Sequence, residues 1–517
     1  MRSGCHRSAH FGALENCVSP APSRPSSRRN VLFSAAERGL LTLLTLVTSP
    51  LIVHGFGEMR FGILSISMTT LGFLAFLDLG ITAAAVRELA QARGAGDELR
   101  AKRVFSTALG IYVALGMVAG TALFALAPWL VHRVFHVDAA NQTDALLVMR
   151  AAGVGLGLNL MLAPMTTVPR ALQRLDISTM ITISVSVITT VGLVVAARAN
   201  SLSAAVAVQL LSTAGAMVAY FLASKRLAPE LRFWPQMHRA SMAKLGNFAA
   251  FQLLSQIFGT LAVYADRLIL AAWLTPADVT YYSIPAGLSQ KIHVLMAAAA
   301  GFVFPRVAEL LAKQDRDGVA RLYGQGVRLT MLVAVLLAAP VVAGGHAFLH
   351  AWIGIDFANQ AAASLRWTAL AYACFCATVM PVLTLLGLGK SRTVAAYSLL
   401  TGVPNVVLAL VLVPWVGRDG AGLAMLGSMC LSFVPMFAVR KEVGTPWAAL
   451  AWPLARLIPV GASAAAATWL AVRLLPTSLI LAFCSLIIGA CVGAAVWWFL
   501  PGLPSEDAAV LRRGRIG

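Results

Sequence analysis

The 517 residues are 59% hydrophobic and only 12% charged, with a mean hydropathy of +0.79. A soluble domain carries roughly a quarter charged residues to cover its surface; half that density excludes a string of soluble domains and leaves a stack of membrane spans, each about 20 residues long. The formal charge of +19 does not point to nucleic acid, because the Lys and Arg sit in short segments at alternate gaps between apolar runs, the pattern that sets orientation in a membrane.

Residues 1–30 are rich in Ser, Pro and Arg without an apolar core and read as a disordered cytoplasmic tail. The apolar stretch that begins at Val31 is too long for a signal-peptide core. Fourteen windows then follow. The first six lie at about 31–54, 61–83, 104–131, 145–169, 177–197 and 203–224. A polar connector with five cations and two prolines, 225–246, separates them from six more at about 247–273, 280–304, 329–351, 366–388, 394–414 and 421–438. A last pair, about 447–471 and 478–500, is bracketed by Pro446, Pro476 and Pro501 and leads into a basic tail, 501–517. The expected domains are a six-helix lobe over 31–224, a second over 247–440, and helices 13 and 14 within 441–500. The expected fold is an all-α integral membrane protein of about 14 helices, its lobes related by an axis along the membrane normal with the substrate cavity between them.

Orientation follows from counting. With both termini cytoplasmic, 29 of the 40 Lys and Arg fall in cytoplasmic segments and only Arg60, Arg133, Arg198, Arg418 and Arg473 in external ones. The cysteines carry no chemistry of their own: Cys374 and Cys376 have no third or fourth metal ligand nearby and read as small packing residues.

Several segments together carry a resemblance. Gly57-Glu-Met-Arg-Phe61-Gly62, Leu77-Asp78-Leu79-Gly80 and Arg87-Glu-Leu-Ala90 open the first half. Asp266-Arg267-Leu-Ile-Leu270, Tyr281-Tyr282-Ser283, Phe304-Pro305-Arg306, Trp352-Ile-Gly354, Gly387-Leu-Gly389-Lys390-Ser-Arg392, Asn405 and Gly417-Arg-Asp-Gly420-Ala421 follow in order. The set resembles Wzx-type polysaccharide flippases of the multidrug/oligosaccharidyl-lipid/polysaccharide (MOP) exporter superfamily and covers most of 31–440, departing at Thr280, where Gly is expected before the paired tyrosines. The resemblance implies two six-helix lobes and the movement of a lipid-linked oligosaccharide from the cytoplasmic to the external leaflet of the inner (plasma) membrane. It implies a role in polysaccharide or lipopolysaccharide biosynthesis, with no cofactor and no nucleic-acid partner.

Six cations remain inside the spans, Arg38, Arg150, Arg267, Lys291, Arg366 and Arg456, against three acids, Glu37, Asp78 and Asp266. An ionised group near a helix centre costs about 2.5–3.5 kcal/mol on insertion scales and so faces a cavity or a partner. Lys291 is near the middle of its span, and Arg38 and Asp78 lie at comparable depth on adjacent helices, where they can pair. Asp266 and Arg267 are successive positions, about 100° apart, and point in different directions. Because the implied cargo carries a pyrophosphate, which guanidinium groups bind bidentately, Arg38, Arg267 and Lys291 are the candidate cavity cations; Asp78, Asp266 and Glu37 are the candidate coupling or ion-pair acids. Arg150, Arg366 and Arg456 are near enough to span ends to snorkel, His293 reads as packing, and Trp129, Trp234, Trp352 and Trp415 suit an interfacial belt.

No metal ligand set or ATP-binding loop is present: Gly387-Leu-Gly389-Lys390-Ser391 lacks the four-residue spacing. Coupling to an ion or to the membrane potential, worth about 2.3 kcal/mol per charge per 100 mV, stays open. A cation-coupled multidrug exporter on the same fold is the alternative, and it would need an acidic cavity. A membrane-embedded glycan polymerase or ligase would need a large external loop, and the external gaps near 132–144 and 352–365 are short.

Overall fold

The structure, a computed structural model, describes residues 27–78, 80–475 and 478–499. Of the expected tail 1–30 only 27–30 are described, as the start of a helix; the basic tail 501–517 and the side chains of Arg38, 239–241 and 243–252 lie outside the described residues. Among the described residues every regular element is helical. Among these residues, thirteen helices are long and apolar enough to cross a membrane.

The thirteen conceal a fourteenth. Helix α1 (Ser27–Phe73) contains Gly57 at φ 74°, ψ 165°, a non-helical conformation that glycine adopts without a Cβ penalty. Its apolar part, Gly39–Asp78, is 40 residues, about 60 Å if straight and twice the hydrocarbon thickness. Thr42 and Thr69 nevertheless line the same hollow, so the chain reverses at Gly57 and α1 is two antiparallel legs.

After the α1 extension Leu74–Asp78 come α2 (Ile81–Gly94), α3 (Glu98–Trp129), α4 (Gln142–Ala171), α5 (Leu175–Arg198) and α6 (Leu202–Leu227). Then follow α7 (Arg239–Trp273), α8 (Pro276–Ala299), α9 (Val303–Ala312), α10 (Arg316–Trp352), α11 (Ile355–Phe375) and α12 (Val379–Gly387). The remainder are α13 (Ser391–Val416), α14 (Arg418–Cys430), α15 (Phe433–Glu442), α16 (Ala448–Ala455), α17 (Leu457–Leu474) and α18 (Leu479–Phe499). Each expected span has its helix, and four of them are broken in two: α8/α9, α11/α12, α14/α15 and α16/α17. Pro305, Pro381, Pro435 and Pro459 stand four residues beyond Gly301, Ala377, Leu431 and Ala455, which lie at those breaks. A proline lacks the N–H for that carbonyl and its ring clashes with it.

Helices α2 to α6 pack mainly on one another and on α1, which packs equally on α7 and α8. Gly116 and Gly120 of α3 meet the backbone of Gly153 and Gly157 of α4, the close approach small residues allow where no hydrophobic drive operates. Helices α7, α8, α10, α11, α13 and α14 form the other group, with α17 and α18 against each other and α10. The two groups meet where α1 packs on α7 and α8. The connector is not slack: 228–238 folds under the first group, with Phe233 edge-on to Phe105 and Phe221, Glu230 paired to Arg93, and the Gln236 N–H donating to Ser106 O at 3.1 Å.

Candidate functional site

Both legs of α1, together with α7, α8 and the end of α10, enclose a cavity of about 310 Å³. Helix periodicity builds its wall. The first leg presents Thr42, Thr45 and Ser49 and the second Ser65 and Thr69, at spacings of three and four that keep them on one face. Helix α7 adds Tyr264 and Arg267, and α8 adds Ser283, Gln290 and Lys291. A second hollow of about 290 Å³ extends the polar stripe of α7 through Thr260 and Gln256 to Ser255, sharing Tyr264 and Gln290 with the first. Among the described residues, Arg267 and Lys291 supply the charge in these walls and no carboxylate lines either hollow.

Arg267 is only 8% exposed, its guanidinium carbon 5.8 Å from the centre of the Tyr264 ring. Its Nε and Nη2 find no acceptor among the described residues. A buried donor without an acceptor costs about 1–3 kcal/mol, more when charged, so an oxygen ligand on this guanidinium would be favoured. Asp266, one position back, turns away from the cavity: its carboxylate accepts the Tyr282 hydroxyl while its other oxygen is unmatched. Lys291 is half-buried on the α8 wall, mid-helix.

The other candidates are elsewhere. Asp78 ends the α1 extension and accepts the hydroxyls of Thr82 and Tyr112; Glu37 accepts from Thr179 Oγ1 at 2.8 Å. Neither lines the cavity. The pairing expected between Arg38 and Asp78 involves a side chain outside the described residues. His293 stacks on Phe375 with ring centres 4.2 Å apart, and Arg150 and Arg456 lie over the rings of Phe124 and Trp452. Cys376 is buried, and Cys374 faces Cys430 with sulfurs 4.0 Å apart.

One expectation is overturned. Trp352 is not part of an interfacial belt; it is buried against α1, its indole N–H donating to Leu46 O at 2.7 Å, and it lines the cavity. Three contacts close that end. The Thr280 hydroxyl donates to Glu58 O at 2.6 Å, Trp352 holds Leu46, and Gly62 sits on the Pro276 carbonyl, where a Cβ has no room. Thr280, the position at odds with the family pattern, is thus a pin between α8 and the α1 turn.

Sequence reasoning picked the cations by charge but missed Thr42, Thr45, Ser65, Thr69, Gln256, Thr260 and Gln290. Their signal is a three-to-four-residue recurrence of hydroxyls and amides inside apolar windows.

The sequence profile described as "Polysaccharide biosynthesis protein" matches residues 27–311, more than half of the chain. The chain belongs to that family. This polysaccharide-biosynthesis family member is also 21% identical over 403 residues to a protein of Shigella flexneri named putative O-antigen transporter, covering 77% of this chain and 93% of that one. Its fold matches lipid II flippase MurJ in an inward closed conformation, with a TM-score of 0.71 at 9% identity over 95% of this chain and 100% of that one. It matches a multidrug resistance MATE transporter of the MOP superfamily, inward-facing, with a TM-score of 0.69 at 13% identity over 79% of this chain and 98% of that one. The chain shares its fold with both structures.

Proposed function

We propose that this chain is a flippase that carries a lipid-linked oligosaccharide from the cytoplasmic to the external leaflet of the inner membrane, its basic face and both termini cytoplasmic. The observation that carries this reading is the cavity between the helix groups, charged among the described residues by Arg267 and Lys291, where Arg267 has buried donors without an acceptor among those residues. A pyrophosphate linkage supplies the oxygens: a guanidinium stays charged when desolvated and pairs with two of them at once, and an ammonium adds a point charge. The hydroxyls and amides of the wall suit a sugar. The relatives' names, putative O-antigen transporter and lipid II flippase, support a cargo of this class.

Alternating access needs a gate, and the contacts of Gly62, Thr280 and Trp352 form one on the face opposite the basic loops. A cavity of about 310 Å³ lies at the small end of the range for small-molecule sites. It takes the charged linkage and the adjoining sugar, and a longer glycan passes as the two helix groups separate. A multidrug exporter for cationic compounds would need acids in these walls. A polymerase would need an external loop, and between α10 and α11 only Ile353 and Gly354 remain outside helices.

The test is glycan export in a host deleted for its own flippase, scored by labelled sugar reaching the outer surface. Restored export establishes the activity. Correct insertion with a matched donor and no export turns the reading toward the exporter.

A further inference from the structure

On the first helix group, away from the cavity just described, α5 and α6 part to leave a groove of about 630 Å³. Its walls are Met180, Ile181, Val185 and Ile188 of α5 and Val208 and Leu211 of α6, floored by small residues such as Gly215 and Ala219. The helices are held together at both ends of it. Gly192 packs on the Val208 side chain at one end. At the other, the Tyr220 hydroxyl bridges Ser178 Oγ at 2.9 Å and Thr182 Oγ1 at 3.2 Å. The groove is therefore a built hollow, not a loose pair of helices.

Its length and charge specify an occupant. From Met180 to Gly192 is about 18 Å of helix, slightly more than half of a ~30 Å hydrocarbon core, which is the reach of a chain from one leaflet. On α6 the lining positions 208, 212, 215 and 219 continue, seven residues on, to Arg226, which is exposed on the same face at the basic end. Lys225 beside it is exposed as well. On α5 the face continues back to Arg174, at the same end, where its guanidinium is paired with Asp176 at 3.0 Å; the cations open to a ligand at that end are those of α6. An apolar slot one leaflet deep, capped by cations at the phosphate level, matches an amphiphile with an anionic head.

We propose that the α5–α6 groove binds an anionic phospholipid of the leaflet at the basic face, its acyl chain in the slot and its phosphodiester at Arg226 and Lys225. The proposal is independent of the cargo assigned above. Gly215 makes it testable, because a Cβ built there meets nothing within 4 Å and a large side chain enters the slot without disturbing either helix.

The purified protein is delipidated mildly and titrated with phosphatidylglycerol and with phosphatidylcholine of the same chains, with bound lipid counted by native mass spectrometry. Phosphatidylglycerol is expected to bind in preference. Arg226→Gln should weaken it about fivefold, the effect of one cation at a membrane surface, and weaken phosphatidylcholine less, because its choline already offsets its phosphate. Gly215→Phe should remove the tight site for both while the melting temperature holds. Equal binding of the two lipids, or Gly215→Phe retaining the site, overturns the proposal. So does an isoprenoid phosphate that outcompetes phosphatidylglycerol, which assigns the slot to the cargo. A change of mass from dimer to monomer on Gly215→Phe assigns it to a second copy of the chain.

Discussion

At the scale of single residues, the cavity rests on two cations of different character. Arg267→Ala and Lys291→Ala should each abolish surface glycan while leaving membrane abundance near normal by immunoblot. The expected loss in cargo affinity is about 10–100-fold each, from ~1.5–3 kcal/mol per charged hydrogen bond. Normal export by both variants would remove the cations from the transport path. Tyr112→Phe is a contrasting case. It deprives Asp78 of one donor and should cost about 1–3 kcal/mol of stability, read as a lower melting temperature, with export retained. Charge was legible in the sequence because an ionised group in an apolar window is rare. What each charge faces was not: Asp78 is satisfied by Thr82 and Tyr112, and Tyr112 is 34 positions away on another helix. Trp352 was misread for the same reason, since a tryptophan near a span end looks alike whether it faces lipid or Leu46.

At the scale of elements, the windows translated directly into helices, because hydrocarbon leaves a backbone no other way to satisfy itself within one segment. The breaks were harder to foresee. Pro50, Pro128, Pro164 and Pro340 remain inside continuous helices, whereas Pro305, Pro381, Pro435 and Pro459 follow breaks, so proline alone does not say which. Gly62 is the element-scale test of the gate. Gly62→Val places a branched side chain against the Pro276 carbonyl and should force the second leg of α1 off α8. A thiol introduced by Ser65→Cys, in a background without the native cysteines, should then react with an impermeant reagent from the side opposite the basic loops. It should be protected there when Gly62 is intact. Equal labelling in the two backgrounds would mean that this contact is not a barrier.

At the scale of the whole molecule, the asymmetry of 29 to 5 cations across the two faces predicts one orientation. Alkaline phosphatase fused in the gap at 138–141 should be active, and fused at 313–315 inactive. The opposite result would reverse the direction of the proposed flux. The expected division into two helix groups rests on the polar connector, which interrupts an otherwise regular alternation. That it folds back under α3, as Phe233 and Gln236 show, is not legible there, since prolines and cations mark a polar connector without saying what it packs on.

The reversal at Gly57 has a consequence for biogenesis. With one non-helical residue, Gly57, between the legs, little slack is left for one leg to settle in the bilayer apart from the other. The two legs are therefore expected to insert as a hairpin, with Glu58 and Arg60 at its tip. Lengthening that tip should uncouple their insertion, and a stalled nascent chain ending just after the first leg should be found unanchored.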